Sequence, residues 1–296
     1  MEIDEKVFSL VEVPDSEIED FEKAIKSHRK IHIRKASEVV DEVFIENDFV
    51  GRLLAGHDAS GVIEQSREIA WRKFLIEESK FNTIFLRDLH KKIKTPKDIL
   101  ENLISENVAD KSGDELIDAI RDVCGEYAGR IYPYIYKLSL SNTNSRRSRA
   151  GATFEAIIYK IYNILGYSYD SQKKVGRKVF EQAGLGKKVD SVLPSLDAFN
   201  QRRNKTIIGT MKTSLRERWQ EVAEEIERTK IPEIHLLTVD DNISENKAEE
   251  MGAHNIVIVV PKNLAESEAL KERKNIISFE EYFFEEIPKF LEYWKK

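Results

Sequence analysis

Residues 207–225 read IIGTMKTSLRERWQEVAEE. An apolar run rich in β-branched residues stops at Lys212, a polar turn follows, and from about residue 215 the apolar spacing changes from strand to helix. Within a helix over 215–229, Trp219, Val222, Ala223 and Ile226 form one stripe. At 100° per residue Glu225 borders that stripe, nearly in line with Arg218, while Glu221 and Glu224 point further into solvent. A strand that ends in a lysine and leads into a helix is a β-to-α passage. Its surroundings repeat the pattern: candidate strands lie at 187–193, 205–212, 233–239 and 255–260, and helical segments near 215–229, 244–252 and 279–294. IHLLTV (234–239) and NIVIVV (255–260) are unbroken apolar runs, as expected of strands covered on both faces. The expected fold class is therefore α/β, a central mixed sheet flanked by helices.

Upstream, Phe154, Ile157, Ile158, Ile161 and Leu165 mark an amphipathic helix carrying Glu155 on its border. Residues 1–110 read as a helical N-terminal region, with helix-length spacing in DSEIEDFEKAIKSH and ASGVIEQSREIAWRKFLIEES. NVADKSGD (107–114) is the boundary loop before a second region, 111–296. A helix is expected from about Asp114 to Tyr136, then a break through SLSNTNSRRSRAG, whose Ser and Asn residues are turn formers.

A net charge of −6 argues against a nucleic-acid binder until its distribution is read. From Arg146 to Arg218 there are 16 Lys/Arg against 6 Asp/Glu. One basic face on an acidic body is the footprint of phosphate-backbone contacts, although Lys173, Lys174, Arg177 and Lys178 also fit solvated loops. Cys124 is the one cysteine, so no internal disulfide or zinc cluster is available, which fits a reducing cytoplasm. The start, MEIDEKVF, has no apolar run for a signal peptide, and no stretch is long enough to span a membrane. The six histidines show no metal spacing, no Ser-His-Asp set or Walker motif occurs, and Gly184-Leu185-Gly186 reads as a turn.

Four groups then stand on one ruler: Glu155, Asp190, Lys212 and Glu225. Phosphodiester hydrolysis needs an attacking water, shielding for phosphate charge and help for the leaving oxygen, all of which carboxylate-held Mg²⁺ and a nearby cation supply. Half-buried carboxylates are costly without a cation. The same acids also fit salt bridges to Arg218, Lys160 or Lys212.

The motifs favour the first reading. KKVDSVLPS around Asp190, SRAGATFE ending in Glu155, and KTSLRERW at 212–219 resemble the P-D-(D/E)-x-K nuclease core in the form of the EcoRII, SsoII and PspGI group of Type II restriction endonucleases, related to the CCGG cutters. In that group the second acid has migrated to the following helix. Thr210 stands two before Lys212, Glu225 lies 13 beyond it, and Val189 replaces the motif's proline.

The resemblance implies a PD-(D/E)XK core, with Asp190, Glu225 and the Met211 carbonyl on Mg²⁺, Glu155 as an additional acid, and Lys212 orienting the water. It implies base reading by Arg216, Glu217 and Arg218, because arginine pairs bidentately with guanine and glutamate accepts from cytosine. Arg67 and Trp71, four apart, would hold a flipped nucleotide. They also fit a core tryptophan with a snorkelling arginine, since Phe74 and Leu75 extend the stripe. Arg146, Arg147 and Arg149 would contact phosphates.

The implied protein is a prokaryotic, cytoplasmic homodimer or higher oligomer that cuts double-stranded DNA at a palindrome with a CC/GG core. A cognate methyltransferase would act on the same site. A repair or junction-resolving nuclease of the same fold, and a non-catalytic DNA-binding regulator, are the other readings.

Overall fold

The computed structural model describes residues 13–186, 188–216 and 218–295. The start MEIDEKVF, read as lacking a signal peptide, lies outside them, as do Lys187 and Glu217. The chain forms two compact units, each assembled from separate stretches: residues 13–35 with 72–148, and residues 36–71 with 149–295. The expected boundary loop is present, since one helix ends at Asn107 and the next begins at Gly113. It lies inside the first unit, however, and residues 36–71 pack with the second.

The first unit is helical. Its apolar core gathers Phe21, Ile25, Phe81, Phe85, Leu89, Ile131, Tyr134 and Leu138. The expected break at 139–151 does not occur: one helix runs from Tyr132 to Ile164, straight through SLSNTNSRRSRAG. Side-chain bonding explains the difference. Ser and Asn weaken a helix because they compete for backbone groups. Here Arg29 donates to Ser141 Oγ (3.0 Å) and Asn142 Oδ1 (2.9 Å), and Asn142 donates to Asn82 (2.9 Å). Arg146 donates through Nε to Glu78 at 2.8 Å, and the Glu78 side chain is only 2% exposed. The polar groups that favour a turn in an isolated chain are thus bonded laterally, and the helix continues.

The second unit holds the sheet. Among the described residues it has six strands in chain order: β1 Asp170–Ser171, β2 Ser191–Leu193, β3 Ile207–Lys212, β4 Ile234–Thr238, β5 Ile256–Val260 and β6 Ile276–Ser278. The first two pairings are antiparallel and the remaining three parallel. Alternation along the strands feeds two cores. Ile207, Met211, Leu237 and Val259 meet Phe154, Ile157, Ile158 and Ile161 of the long helix. Ile208, Leu236, Ile258 and Val260 meet Val222, Ala223 and Ile226 of the helix Arg218–Thr229. The expected strand over 187–193 begins only at Ser191. Val189 and Val192, three apart, enter the same core, so alternation fails across Asp190. The expected C-terminal helix contains a π-turn at Tyr282–Glu286.

His235 of β4 is a polar exception, 2% exposed, with its ring 5.5 Å from that of Tyr282 and neither ring nitrogen hydrogen-bonded. Burial pulls its imidazole down from 6.5 to about 4. Between those values the unfolded chain binds a proton that the folded chain refuses. Its contribution is therefore complete above about pH 6.5 and is lost as pH falls toward about 4, by at most about 3 kcal/mol. Urea denaturation at pH 7.5 and 4.5 is expected to show a smaller acid loss of stability for His235→Leu than for the parent. An equal loss in both would remove His235 from the pH response.

Candidate active site

β2 and β3 bring the central groups together. Ser191 faces Gly209 across the ladder, and the Asp190 N–H donates to the Gly209 carbonyl at 2.9 Å. The Asp190 carboxylate therefore lies alongside the end of β3, where its Oδ2 accepts from the Met211 N–H (2.7 Å) and the Thr210 hydroxyl (3.3 Å). The Lys212 ammonium stands 3.5 Å from the same oxygen, and donates to Thr210 Oγ1 (3.1 Å) and the Met211 carbonyl (3.2 Å). Both side chains are mostly covered, at 15% exposed for Lys212 and 18% for Asp190. Burial pushes the Asp190 carboxyl up; the Glu155 charge adds to the rise, and Lys212 and the Met211 N–H oppose it.

Glu155 lies near this pair. Its carboxylate accepts from Lys173 Nζ at 2.7 Å. One helical turn further, Tyr159 donates its hydroxyl to the Asp190 carbonyl at 2.9 Å and stacks on Tyr169. Burial raises the Tyr159 phenol well above its usual range, with Asp190 and Glu155 reinforcing the rise, so it stays protonated as a donor. Tyr159 escaped the sequence reading, although its spacing from Glu155 placed the two on one helical face, and Thr210 and Lys173 were noted without their contacts to this site.

Glu225 is arranged differently. It is 5% exposed, and its carboxylate pairs with Arg228 at 2.6 Å. Both line a pocket of about 340 Å³ with Gly186 and Lys188. No hydrogen bond joins Glu225 to Asp190 or Lys212, and its partner is none of the cations considered from sequence. Among the described residues no three acidic, histidine or cysteine side chains converge into a metal cage. The oxygens still suit a hard divalent cation, which takes carboxylates and fills its shell with water and phosphate oxygens. Hydrogen-bond donors converge on Asp190 Oδ2, no described residue bonds its Oδ1, and the Met211 carbonyl is another hard oxygen, bonded by the same Lys212 ammonium.

The turn between β3 and the following helix presents Arg216 and Arg218, both exposed; Glu217 lies outside the described residues. Arg216 adopts a left-handed φ of 33°. Arg67 and Trp71 are brought together, lining a pocket of about 430 Å³ with Glu64, Glu68, Ala150 and Thr153. Arg146, Arg147 and Arg149 do not form one exposed group. Arg146 is paired with Glu78, Arg149 is 8% exposed, and Arg147 alone of the three is exposed without an ion pair to a described acid.

An acid and a lysine meeting at the ends of β2 and β3, beside a parallel α/β layer, are the arrangement expected of the restriction-endonuclease fold. A profile of the EcoRII C-terminal family matches residues 127–283. The chain is 33% identical over 266 residues to the Type II restriction enzyme SsoII of Shigella sonnei, covering 88% of this chain and 80% of that protein. It belongs to the EcoRII C-terminal family and is a Type II restriction endonuclease, a site-specific deoxyribonuclease. Metal-depleted Ecl18kI in complex with uncleaved DNA is similar in structure, with a TM-score of 0.75, 29% identity, and coverage of 94% of this chain and 86% of that one. The PspGI–substrate DNA complex shares the fold, with a TM-score of 0.60 and 19% identity over 88% of this chain and 94% of that one.

Gly186 supports the Glu225 pocket. A Cβ there would sit 2.1 Å from Glu225 Oε1 and 2.0 Å from Arg228 Nη2. Gly186→Ala is expected to cost at most about 1 kcal/mol, because its Cβ meets only the ends of two flexible side chains, one of them an exposed arginine. Part of that cost should vanish in a Glu225→Ala background, where the carboxylate is gone and Arg228, freed from its ion pair, can swing away. A double-mutant cycle by chemical denaturation measures the coupling, and additive effects would mean the two do not compete for this space.

Proposed function

We propose that this chain is a Mg²⁺-dependent endonuclease that cuts double-stranded DNA at a short palindrome with a CC/GG core, CCNGG, CCWGG or a CCGG-containing site. The observation that carries the reading is the Asp190–Lys212 pair bridged by Thr210, at the spacing of the migrated-acid nucleases, with arginines on the turn that follows.

Asp190 and the Met211 carbonyl would hold Mg²⁺ directly, with Glu155 and Glu225 as additional acids for the ion or its water. A bound Mg²⁺ would polarise the scissile phosphate and the attacking water and offset charge on the leaving oxygen. Lys212 orients the water and stabilises the phosphate. Its ammonium stands 3.5 Å from Asp190 Oδ2, beside the oxygens that would hold the ion. Tyr159 holds the Asp190 backbone, and the raised phenol remains a donor at working pH.

Arg216, Glu217 and Arg218 read the C·G pairs. The Arg67–Trp71 pocket receives a nucleotide extruded from the duplex, where an indole face stacks and a guanidinium reaches the base edge. Among the three arginines upstream, Arg147 is open to backbone phosphate, and Arg146, half exposed beside Glu78, is the next most accessible. Palindromic cutting calls for a homodimer, each copy cleaving one strand. A methyltransferase acting on the same site, in the same prokaryotic cytoplasm, would protect the host's own DNA.

The test is incubation with phage λ DNA and Mg²⁺, followed by sequencing of the fragment ends. Ends sharing one CC/GG palindrome are expected. A smear, or nicking confined to branched DNA, would favour a repair nuclease, and intact DNA with a gel shift would favour a regulator. Asp190→Ala is expected to abolish cleavage while leaving specific binding in Ca²⁺; retained cleavage would remove Asp190 from the site. With 2-aminopurine at the centre of the target, fluorescence is expected to rise on binding and to stay low with Trp71→Ala. No rise with the parent would sink base extrusion.

A further inference from the structure

The β3 exit carries Lys212, and only a few residues separate it from the arginines of the turn. β4 runs parallel beside it, with Thr238 opposite Lys212 in the register. Two residues beyond Thr238, Asp240 turns back toward β3. Its Oδ2 accepts from the Leu215 N–H at 2.6 Å. Its Oδ1 accepts from the Asn242 N–H at 3.1 Å, and its own N–H donates to Thr238 Oγ1 at 3.1 Å. The carboxylate is thus anchored in the loop after β4 by one oxygen and grips the β3 turn by the other, while the residue's N–H ties it back to the end of β4.

Leu215 is the point where such a grip matters. Its side chain is fully buried against the core that includes Val222 and Ile226, and its carbonyl accepts from the Arg218 N–H at 2.5 Å. Arg216, next in the chain, adopts the left-handed conformation, and both arginines are exposed. A left-handed non-glycine residue persists only where its neighbours hold it. Charge-assisted bonds to backbone N–H groups are among the stronger ones available.

We propose that Asp240 is a positioning residue for sequence discrimination: it fixes the Arg216–Arg218 turn relative to Lys212, so that base reading and phosphate positioning share one frame. Both its oxygens are engaged by backbone N–H groups, and its negative charge disfavours a direct phosphate contact. The inference rests on the reading of Arg216 and Arg218 as base readers.

The experiment compares the parent, Arg218→Ala, Asp240→Ala and Asp240→Asn on a cognate duplex and on duplexes with one base pair changed in the site. Binding in Ca²⁺, cleavage in Mg²⁺, binding to unrelated DNA and the melting temperature are recorded for each. Asp240→Ala is expected to reduce the cognate preference on the order of tenfold, as for loss of one strong hydrogen bond. Melting temperature and binding to unrelated DNA should hold. Asp240→Asn keeps one acceptor oxygen and should recover part of the preference. If Arg218→Ala loses discrimination and Asp240→Ala keeps it, the Asp240 inference alone is overturned. If Asp240→Ala lowers melting temperature and all binding in parallel, with no rescue by asparagine, its role is structural only and the inference is likewise overturned. If Arg218→Ala keeps full discrimination, the base-reading assignment fails first and the Asp240 inference falls with it.

Discussion

Ser191 faces Gly209 across the β2–β3 ladder, and that register decides which groups meet Asp190. A shift of one residue would turn the side chains of β2 to opposite faces and carry Asp190 away from the Met211 N–H. Gly209 keeps the approach close, since a Cβ there would lie 2.5 Å from Ser191 Oγ. Tyr159 adds a second constraint from the long helix by bonding the Asp190 carbonyl. With the aspartate held at both backbone and side chain, Lys212 needs only to end its strand to reach it. The parallel strands β3 to β6 then place β4, and with it Asp240, beside the lysine's exit.

Much of this was readable from local pattern. The β-branched runs of β3, β4 and β5 and the stripe of the helix Arg218–Thr229 are periodicities that survive folding, because helices cover both faces of those strands. The lysine, the arginine turn and Glu225 sit within 19 consecutive residues, 207–225, so their order needed no knowledge of distant contacts. What escaped was set by partners far away in the chain. β1 and β6 have two and three residues, too few for a period to show. The helix through SLSNTNSRRSRAG depends on Arg29, Glu78 and Asn82, between 60 and 113 residues away. Arg228 as the partner of Glu225 was within reach of the helical i,i+3 rule; what no pattern showed was that Gly186 would leave room for the pair.

The arginines illustrate how a charge count differs from a binding surface. Arg146 and Arg149 belong to the basic stretch that suggests phosphate contact, yet one is paired to a buried glutamate and the other is itself buried. An arginine already paired or covered must give up that partner or that cover before it can meet a phosphate. The exposed cations of the turn, Arg216 and Arg218, are few but stand on a fixed backbone. For base recognition a small rigid set is worth more than a diffuse field, which steers encounter without choosing a sequence.

Thr210 occupies the position where the looser motif places a second acid, and its hydroxyl bridges Asp190 and Lys212. A hydroxyl brings no charge, so the innermost pair is one anion against one cation. Such a pair is close to neutral on its own and requires no imported counter-ion to fold. Were an acid at 210, the two carboxylates would repel until a cation separated them, and the architecture of the site would depend on ionic supply. With a hydroxyl at 210, this innermost group assembles without a cation between two carboxylates. Its shape is a product of folding alone.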